Sequence, residues 1–221
     1  MLTLKTTELF DLSHTLANEL LGSCEYPWHA LPHIKEFVIQ LGRTLSEDEY
    51  DNPVENVWIS KSATVAESAT ICAPAIIGHG SEIRVGAYIR GAVIVGEDCV
   101  VGNSCEIKNA ILFDKVQVPH FNYVGDSVLG YCAHMGAGAI TSNVKSDRSP
   151  VTVKAGEEML ETGFKKFGAM LGDFVEIGCN SVLNPGSVVG RNTTVYPLSS
   201  VRGCIPKNSI FKSPTDIITK N

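Results

Sequence analysis

Apolar residues recur at a spacing of six over most of the chain. A mostly small residue precedes each of them by two positions, for example Ala63, Ala69 and Ala75. An interval of six fits neither the helical period of 3.6 nor the alternation of a single long strand. It predicts a parallel β-helix, in which one residue in six points inward and each coil repeats the last. The recurring residues are Ile59, Val65, Ile71, Ile77, Ile83, Ile89, Val95, Val101, Ile107 and Phe113, and later Leu171, Ile177, Leu183, Val189, Val195 and Val201.

The repeat breaks in two places. Phe113 and Leu129 are 16 positions apart where 18 would keep the register, which predicts a two-residue deletion in the corners around Pro119. Between about residues 142 and 167 the repeat disappears, which predicts a polar excursion with a short strand at 151–153. Connecting segments often carry function, so both breaks are candidate site regions.

The first 55 residues lack the six-residue repeat. Apolar spacing predicts one helix over 7–21 and a second over 29–41 that ends at Gly42. We therefore expect an N-terminal helical cap (1–55) that covers the open end of the solenoid, and a β-helix domain (56–204). A C-terminal tail (205–221) would close the other end.

The composition of the chain excludes some classes of ligand, location and metal site. The net charge of −6 argues against nucleic acid and anionic membranes as default ligands. No basic leader precedes an apolar run and no stretch of 18 apolar residues occurs, so we expect a cytoplasmic protein. The seven cysteines form no C-x-x-C pair and predict reduced thiols rather than a zinc ribbon. Cys99 and Cys105 occupy the small-residue position of the repeat, which predicts that they are buried.

One segment resembles a known family. It runs His120-Phe-Asn-Tyr123-Val-Gly-Asp126, followed by Gly136-Ala-Gly-Ala-Ile-Thr-Ser-Asn143. It is similar to the acetyltransferase domain of the bifunctional glucosamine-1-phosphate acetyltransferase/N-acetylglucosamine-1-phosphate uridyltransferase family, whose pattern is His-x-x-Tyr-x-Gly-Asp, then Gly-Ala-Gly-Thr-Ile-x-x-Asn. The resemblance covers roughly residues 84–201. It implies a left-handed β-helix, a homotrimer with sites between subunits, and acetyl-CoA as co-substrate with no metal.

The resemblance also assigns residues, and their chemistry agrees with it. His120 would be the general base, since imidazole accepts a proton near neutral pH. Glu106 would orient that imidazole, unless it is only a solvated coil residue. An arginine fork and lysine charges suit a sugar phosphate. The expected substrate-binding residues are Arg90, Lys108, Tyr123, His134, Asn143 and Lys166, the last reaching in from a neighbouring chain.

The residues that would bind the acetyl donor, coenzyme A, are given as candidates without individual roles. Gly136 and Gly138 keep the coil narrow enough for a pantetheine arm, and backbone N–H groups there would meet the developing oxyanion, although simple corner geometry explains these glycines equally well. The basic residues Lys207 and Lys212 are further candidates near the C-terminal end. The expected coenzyme A-binding residues are Ala137, Cys179, Pro197 and Arg202.

The chain departs from the family pattern in three ways. It lacks the uridyltransferase half, so it is not expected to make a UDP-sugar by itself. His134 replaces an asparagine, and the loop after Asn143 is about seventeen residues longer than in the family. The acceptor is therefore expected to be an amino-sugar phosphate, with glucosamine 1-phosphate first.

Three alternatives stay open. An acyltransferase for a nucleotide-linked amino sugar would keep His120 and change the acceptor pocket. A γ-carbonic-anhydrase-like metal enzyme would need a pair of histidines five positions apart, which His79, His120 and His134 do not provide. A non-catalytic scaffold would have no need of the clustered polar residues.

Overall fold

In a computed structural model, which describes residues 4–220, the repeat region folds into a solenoid of stacked coils. Each coil contributes one short strand to each of three faces, and strands of successive coils pair in parallel. The inward residues of the repeat, such as Ile77, Ile83 and Ile89, are buried. The parallel β-helix predicted from the six-residue spacing is confirmed.

The strands group by face. Face 1 contains Val57–Ser60, Ala75–Ile77, Val93–Val95, the ends of Glu106–Leu112 and Tyr123–Leu129, then Ala169–Leu171, Ser187–Val189 and Cys204–Ile205. Face 2 contains Thr64–Val65, Glu82–Ile83, Val100–Asn103, Gln117–His120, His134–Met135, Glu176–Ile177, Thr194–Val195 and Ser209–Ser213. Face 3 contains Thr70–Ile71, Tyr88–Ile89, the starts of Glu106–Leu112 and Tyr123–Leu129, then Ile140–Thr141, Val182–Leu183 and Ser200–Val201. Three antiparallel additions are Tyr50–Val54 on Val57–Ser60, Asp216–Thr219 on Ser209–Ser213, and the hairpin of Thr152–Ala155 with Glu158–Glu161.

The N-terminal segment lies along face 1. Strands alternate their side chains, so the middle residues Ile76, Ile94 and Ile111 point away from the solenoid interior, yet they are fully buried. The helix Ile34–Gly42 packs on their strands and excludes water from them. The helices of the expected cap therefore cover the apolar outer side of face 1 and not the open end, whereas the strand Tyr50–Val54 pairs with the edge of the first coil.

The predicted helices are also shorter than expected. The segment 7–21 breaks into pieces because its backbone bonds to the solenoid instead of to itself. In the second segment, Pro32 lacks the N–H that a continuous helix needs. The helices are Thr6–Leu9, Asn18–Gly22 and Ile34–Gly42, with 3₁₀ turns at Leu12–His14 and Pro27–Ala30.

The corner between faces 1 and 2, called corner 1–2, anchors the N-terminal segment. The fully buried carboxylate of Asp173 accepts the backbone N–H of Asp11 at 2.8 Å and that of Tyr131 at 2.9 Å, and pairs with Arg191 at 2.7 Å. One coil layer apart, the His14 ring stacks on Tyr131 with 3.7 Å between centroids. The contacts of Asp11 with Asp173 and of His14 with Tyr131 join chain segments more than a hundred residues apart.

The phase slip lies elsewhere than predicted. Val95 pairs with Leu112, and Leu112 pairs with Leu129, so Leu112 is the inward residue and not its buried neighbour Phe113. The spacing from Ile107 to Leu112 is therefore five, and the spacing from Val124 to Leu129 is five again. Both shortenings fall at the corner between faces 3 and 1, called corner 3–1, and none falls at Pro119.

The excursion after residue 142 leaves from this same corner 3–1. It returns at Ala169, and its hairpin covers face 1 of the later coils, where Val151 and Val153 are fully buried. Cys99 and Cys105 are buried as predicted, and burial raises the pKa of Cys99 to about 12. No helix within residues 4–220 is long and apolar enough to cross a membrane.

Candidate functional site

Corner 3–1 carries a ladder of three polar side chains. Asn109, Asp126 and Asn143 follow one another at intervals of 17, so they occupy the same position in three successive coils. Asn109 donates its amide Nδ2–H to Asp126 Oδ1 at 2.8 Å, and Asn143 donates to Asp126 Oδ2. Asp126 is only 4% exposed and adopts a φ of 51°. A buried carboxylate in the left-handed region marks a position fixed by its surroundings.

Charged and phenolic groups adjoin the ladder. Lys108 Nζ lies 3.5 Å from Asp126 Oδ2. Asn143 also donates to the Tyr123 hydroxyl at 3.2 Å, which leaves the phenolic hydrogen available for a ligand. Burial raises the pKa of Tyr123 above its usual value, so this donor stays protonated at neutral pH.

Arg90 and Glu106 form an ion pair at the edge of face 3. Arg90 Nη1 donates to Glu106 Oε1 at 2.6 Å, and both side chains remain more than one-third exposed. The prediction that Glu106 orients His120 does not hold within this chain, because the carboxylate is bonded to Arg90 instead. Glu106 and His120 belong to different strands on different faces, which the sequence spacing alone did not reveal.

A cavity of about 350 Å³ opens beside Asp126. The returning excursion places Lys165 and Lys166 in its wall, and the N-terminal segment adds Leu31 and Pro32. Lys166 therefore lies at the corner of its own chain. Together with Arg90 and Lys108, corner 3–1 collects four cations around two carboxylates.

His120 lies at the corner between faces 2 and 3, called corner 2–3. Its ring is exposed, and the side-chain contacts of residues 4–220 include no hydrogen bond to it. Its backbone is fixed by Asn122, whose Oδ1 accepts the His120 N–H at 3.1 Å. Asn122 is buried and donates from Nδ2 to the carbonyl oxygens of Gly136 at 2.8 Å and Ala139 at 3.0 Å. The corner is rigid while the imidazole is free to meet a ligand.

Three predicted donor-side residues align with His120. Ala137, Cys179 and Pro197 occupy the same corner position in the three following coils, as shown by the bonds Gly138 N–H to His120 O, Asn180 N–H to Ala137 O and Leu198 N–H to Cys179 O. These four residues form a row parallel to the solenoid axis.

The row ends at a basin of about 690 Å³ near the C-terminal end. Lys154, Arg202 and Lys212 line the basin, whose wall contains no carboxylate among the described residues. Lys212 also sits over the Tyr196 ring at 5.7 Å from its centroid. The predicted candidates Arg202 and Lys212 are thus brought together, whereas Lys207 lies beside Gly190, outside the basin wall.

His134 lies apart from the corner 3–1 group. It is on face 2, and its Nδ1 is 2.7 Å from Glu176 Oε2 on the neighbouring coil. Within residues 4–220 no group of three His, Cys, Asp or Glu side chains is arranged to hold a metal ion.

The sequence prediction missed four residues of these corners, Asn109, Asn122, Asp126 and Lys165, and one residue of the basin, Lys154. Asp126 was visible in the quoted motif but had no assigned role. The interval of 17 from Asn109 to Asp126 to Asn143 was the signal that could have revealed the ladder.

Comparisons with known proteins agree with the sequence resemblance. Residues 71–159 match the family model described as the GMPPB C-terminal domain, which is less than half of the chain. The bifunctional protein GlmU of Methanococcus aeolicus is 34% identical over 113 residues, which cover 51% of this chain and 27% of that protein. A bifunctional sugar-1-phosphate nucleotidylyltransferase/acetyltransferase of Sulfurisphaera tokodaii is 32% identical over 105 residues, covering 48% of this chain and 26% of that protein.

The chain spans about a quarter of the length of these curated relatives. Among solved structures, the acetyltransferase domain of PglB from Neisseria gonorrhoeae aligns with a TM-score of 0.34 and 13% identity over 72% of this chain and 55% of that one. The chain is thus similar in sequence to part of the bifunctional sugar-phosphate enzymes.

Proposed function

We propose that this protein is an acetyl-CoA-dependent N-acetyltransferase whose acceptor is an amino-sugar phosphate, with glucosamine 1-phosphate first. The observation that carries the proposal is the row at corner 2–3: an exposed histidine, followed by three side chains in register that lead to a basic basin. The relatives support the same chemistry, because the one from Sulfurisphaera tokodaii is named as an acetyltransferase.

The reaction needs few groups. The amine nitrogen of the acceptor attacks the thioester carbonyl carbon, His120 takes the proton released from nitrogen, and the carbon–sulfur bond breaks. His120 then returns that proton to the departing thiolate. Backbone N–H groups near Gly136 and Gly138 are the candidates for stabilising the oxyanion between these two steps.

Corner 3–1 suits the phosphate of the acceptor. Its four cations, Arg90, Lys108, Lys165 and Lys166, exceed its carboxylates, Glu106 and Asp126, by two charges, which matches a phosphomonoester dianion. Asn143 and Tyr123 add directional hydrogen bonds. This charge balance is the reason to place an anionic sugar here.

The spacing of the corners favours a site shared between copies of the chain. His120 and Asp126 belong to different corners, with the turn at Phe121 and the width of face 3 between them. An amino-sugar phosphate bound within one chain would have to bridge this face to contact both residues. We therefore propose the homotrimer that the resemblance implies, with His120 of one copy facing corner 3–1 of another.

The first test is release of free thiol from acetyl-CoA across amino sugars, their 1-phosphates and their nucleotide-linked forms. We expect turnover with an amino-sugar 1-phosphate and little with the unphosphorylated sugar. Turnover with nucleotide-linked sugars alone would select the alternative acceptor class. A lack of turnover with every acceptor, from protein that binds coenzyme A, would contradict the amino-sugar assignment.

A second test addresses the shared site. His120→Ala and Lys108→Ala are each expected to be inactive, and co-expression of the two chains should restore part of the activity, because some interfaces then contain both native residues. If the mixed protein stays inactive while both variants form normal oligomers, the site lies within a single chain.

A further inference from the structure

Corner 2–3 turns through the left-handed region in six successive coils. Residues with side chains rarely adopt a positive φ, so glycine or a small polar residue is expected there. Phe121 and Leu198 are the two large apolar exceptions, with φ of 52° and 59°. The corner residues in chain order are Gly86, Ser104, Phe121, Gly138, Asn180 and Leu198.

Packing within the chain does not explain these two side chains. Phe121 is 58% exposed and Leu198 is 80% exposed, the highest value among the large exposed apolar residues described. By contrast, Phe174, at φ 58° on corner 1–2, contacts the Tyr131 ring with 5.4 Å between centroids. A strained backbone combined with an exposed apolar side chain indicates selection for contact with something outside the fold.

The two residues bracket a stretch of small side chains. Phe121 adjoins His120 in one coil, and Leu198 adjoins Pro197 three coils further on. Between them the corner carries Ala137, Gly138, Cys179 and Asn180, none of which has a large side chain; this stretch is called the trough. Leu198, at its end, also forms part of the wall of the basic basin, so the trough adjoins the basin.

We propose that Phe121 and Leu198 are positioning residues that clamp the two ends of the pantetheine arm of coenzyme A. This proposal rests on the proposed acetyltransferase function and adds residues that the sequence resemblance did not assign. Phe121 would cover the thioester end beside His120. Leu198 would pack on the branched apolar carbons of the pantoyl end.

Length and charge both favour this occupant. Three coil steps of about 4.8 Å separate Phe121 from Leu198, a rise of about 14 Å. The pantetheine arm has about twelve bonds from sulfur to the pantoyl oxygen, or roughly 15 Å when extended with bond lengths like those of a peptide chain. Beyond Leu198, the cations Lys154, Arg202 and Lys212 suit the phosphates of the nucleotide end.

The backbone strain allows a test in which stability and binding respond differently. Leu198→Gly and Phe121→Gly remove an exposed side chain and relieve a positive φ, so the melting temperature is expected to hold or rise by about 2 °C. Calorimetry with coenzyme A alone should nevertheless show a dissociation constant about tenfold higher for each variant. Ser104→Gly is the matched control, because it relieves the same φ one coil before Phe121, outside the trough.

The outcomes separate the two proposals. If the unmodified protein does not bind coenzyme A, the proposed function fails and this inference fails with it. If it binds and both glycine variants bind equally well, only the clamp is wrong. If the glycine variants lose their oligomeric state in light scattering while the Ser104→Gly protein keeps it, the side chains serve a subunit contact, and the clamp is again overturned.

Discussion

Corners 3–1 and 2–3 border the same face of the solenoid, but their side chains are arranged in opposite ways. Corner 3–1 departs from the six-residue spacing in three successive coils, and its side chains bond to one another around the buried Asp126. Corner 2–3 keeps its spacing through those coils, and its side chains His120, Phe121 and Leu198 reach outward. One corner is preorganised by internal contacts, and the other is open to a ligand.

The difference indicates how a repetitive fold acquires a site. A shortened corner brings neighbouring coils into a register where donors and acceptors meet, which suits the recognition of a compact charged group. A regular corner supplies identical positions along the axis, which suits a long and flexible ligand. Under the proposed function, the acceptor and the donor of the transfer reaction would bind at these two different kinds of corner.

The largest expected effect is on kcat, and it comes from removing the proposed base His120 at corner 2–3. His120→Ala should lower kcat by about 10²- to 10⁴-fold, the usual contribution of a general base, with coenzyme A binding unchanged. Its exposed ring makes no side-chain hydrogen bond within residues 4–220, so the melting temperature should not move. His134→Ala is the control. A larger loss of kcat in that variant would transfer the role of base to His134, which Glu176 already orients.

The next effect tests whether corner 3–1 is held by its carboxylate. Asp126→Ala leaves the amides of Asn109 and Asn143 without their acceptor, and we expect the free energy of unfolding to fall by about 2–4 kcal/mol. The KM for the acceptor should rise while the dissociation constant for coenzyme A stays the same. Asp216→Ala, in the exposed terminal hairpin, provides the comparison. Equal stability of the two variants would show that the ladder is incidental.

A smaller effect is expected from the residue that supports His120. Asn122→Ala removes one acceptor and two donated bonds from a buried site, which should cost about 1–3 kcal/mol of unfolding free energy. The displaced corner should also lower kcat without raising the KM for the acceptor. Asn52→Ala is the control, because Asn52 is exposed and its amide donates a single bond, to the Val57 carbonyl oxygen at 2.8 Å. If kcat is unchanged, corner 2–3 does not depend on this turn for activity.

The sequence predicted the solenoid but misplaced its irregularities. A spacing of six identifies the coils because inward residues are buried in every turn. The slip at corner 3–1 was missed because Leu112 and Phe113 are both apolar and both buried, so either satisfied the pattern. Alternation along a single strand could not show that the middle residues of face 1 needed a cover, since the covering segment comes from elsewhere in the chain.

Most candidate site residues were named from the family resemblance. They include the row from His120 to Pro197 and three of the four cations of corner 3–1, whereas Lys165 was not among them. The pairing of Glu106 with Arg90 did not follow, because it depends on which strands are neighbours in space. The role of Asp126 required the same knowledge of neighbouring coils.

The smallest expected effect is a pH-dependent change in stability at corner 1–2. The carboxylate of Asp114 lies at this corner and has no ion-pair partner among residues 4–220. Burial raises the pKa of Asp114 above its ordinary value, so folding favours the protonated form relative to the unfolded chain. The stability that this group contributes is therefore present below about pH 4 and lost as the pH rises through its folded value. Asp114→Asn keeps the acceptor for the Glu97 N–H, at 2.8 Å, and carries no charge at any pH.

Thermal unfolding between pH 3.5 and 7.5 should therefore show the two proteins equally stable at the acid end. At neutral pH the variant should be more stable by about 0.5 kcal/mol, a modest value because solvent screens a half-buried carboxylate. Asp216→Asn, the same change at an exposed position of the terminal hairpin, is the control variant. If Asp114→Asn is instead less stable at pH 7, the charge of Asp114 helps the buried Asp173 to hold the N-terminal segment, and corner 1–2, like corner 3–1, would be stabilised by more than one charged side chain.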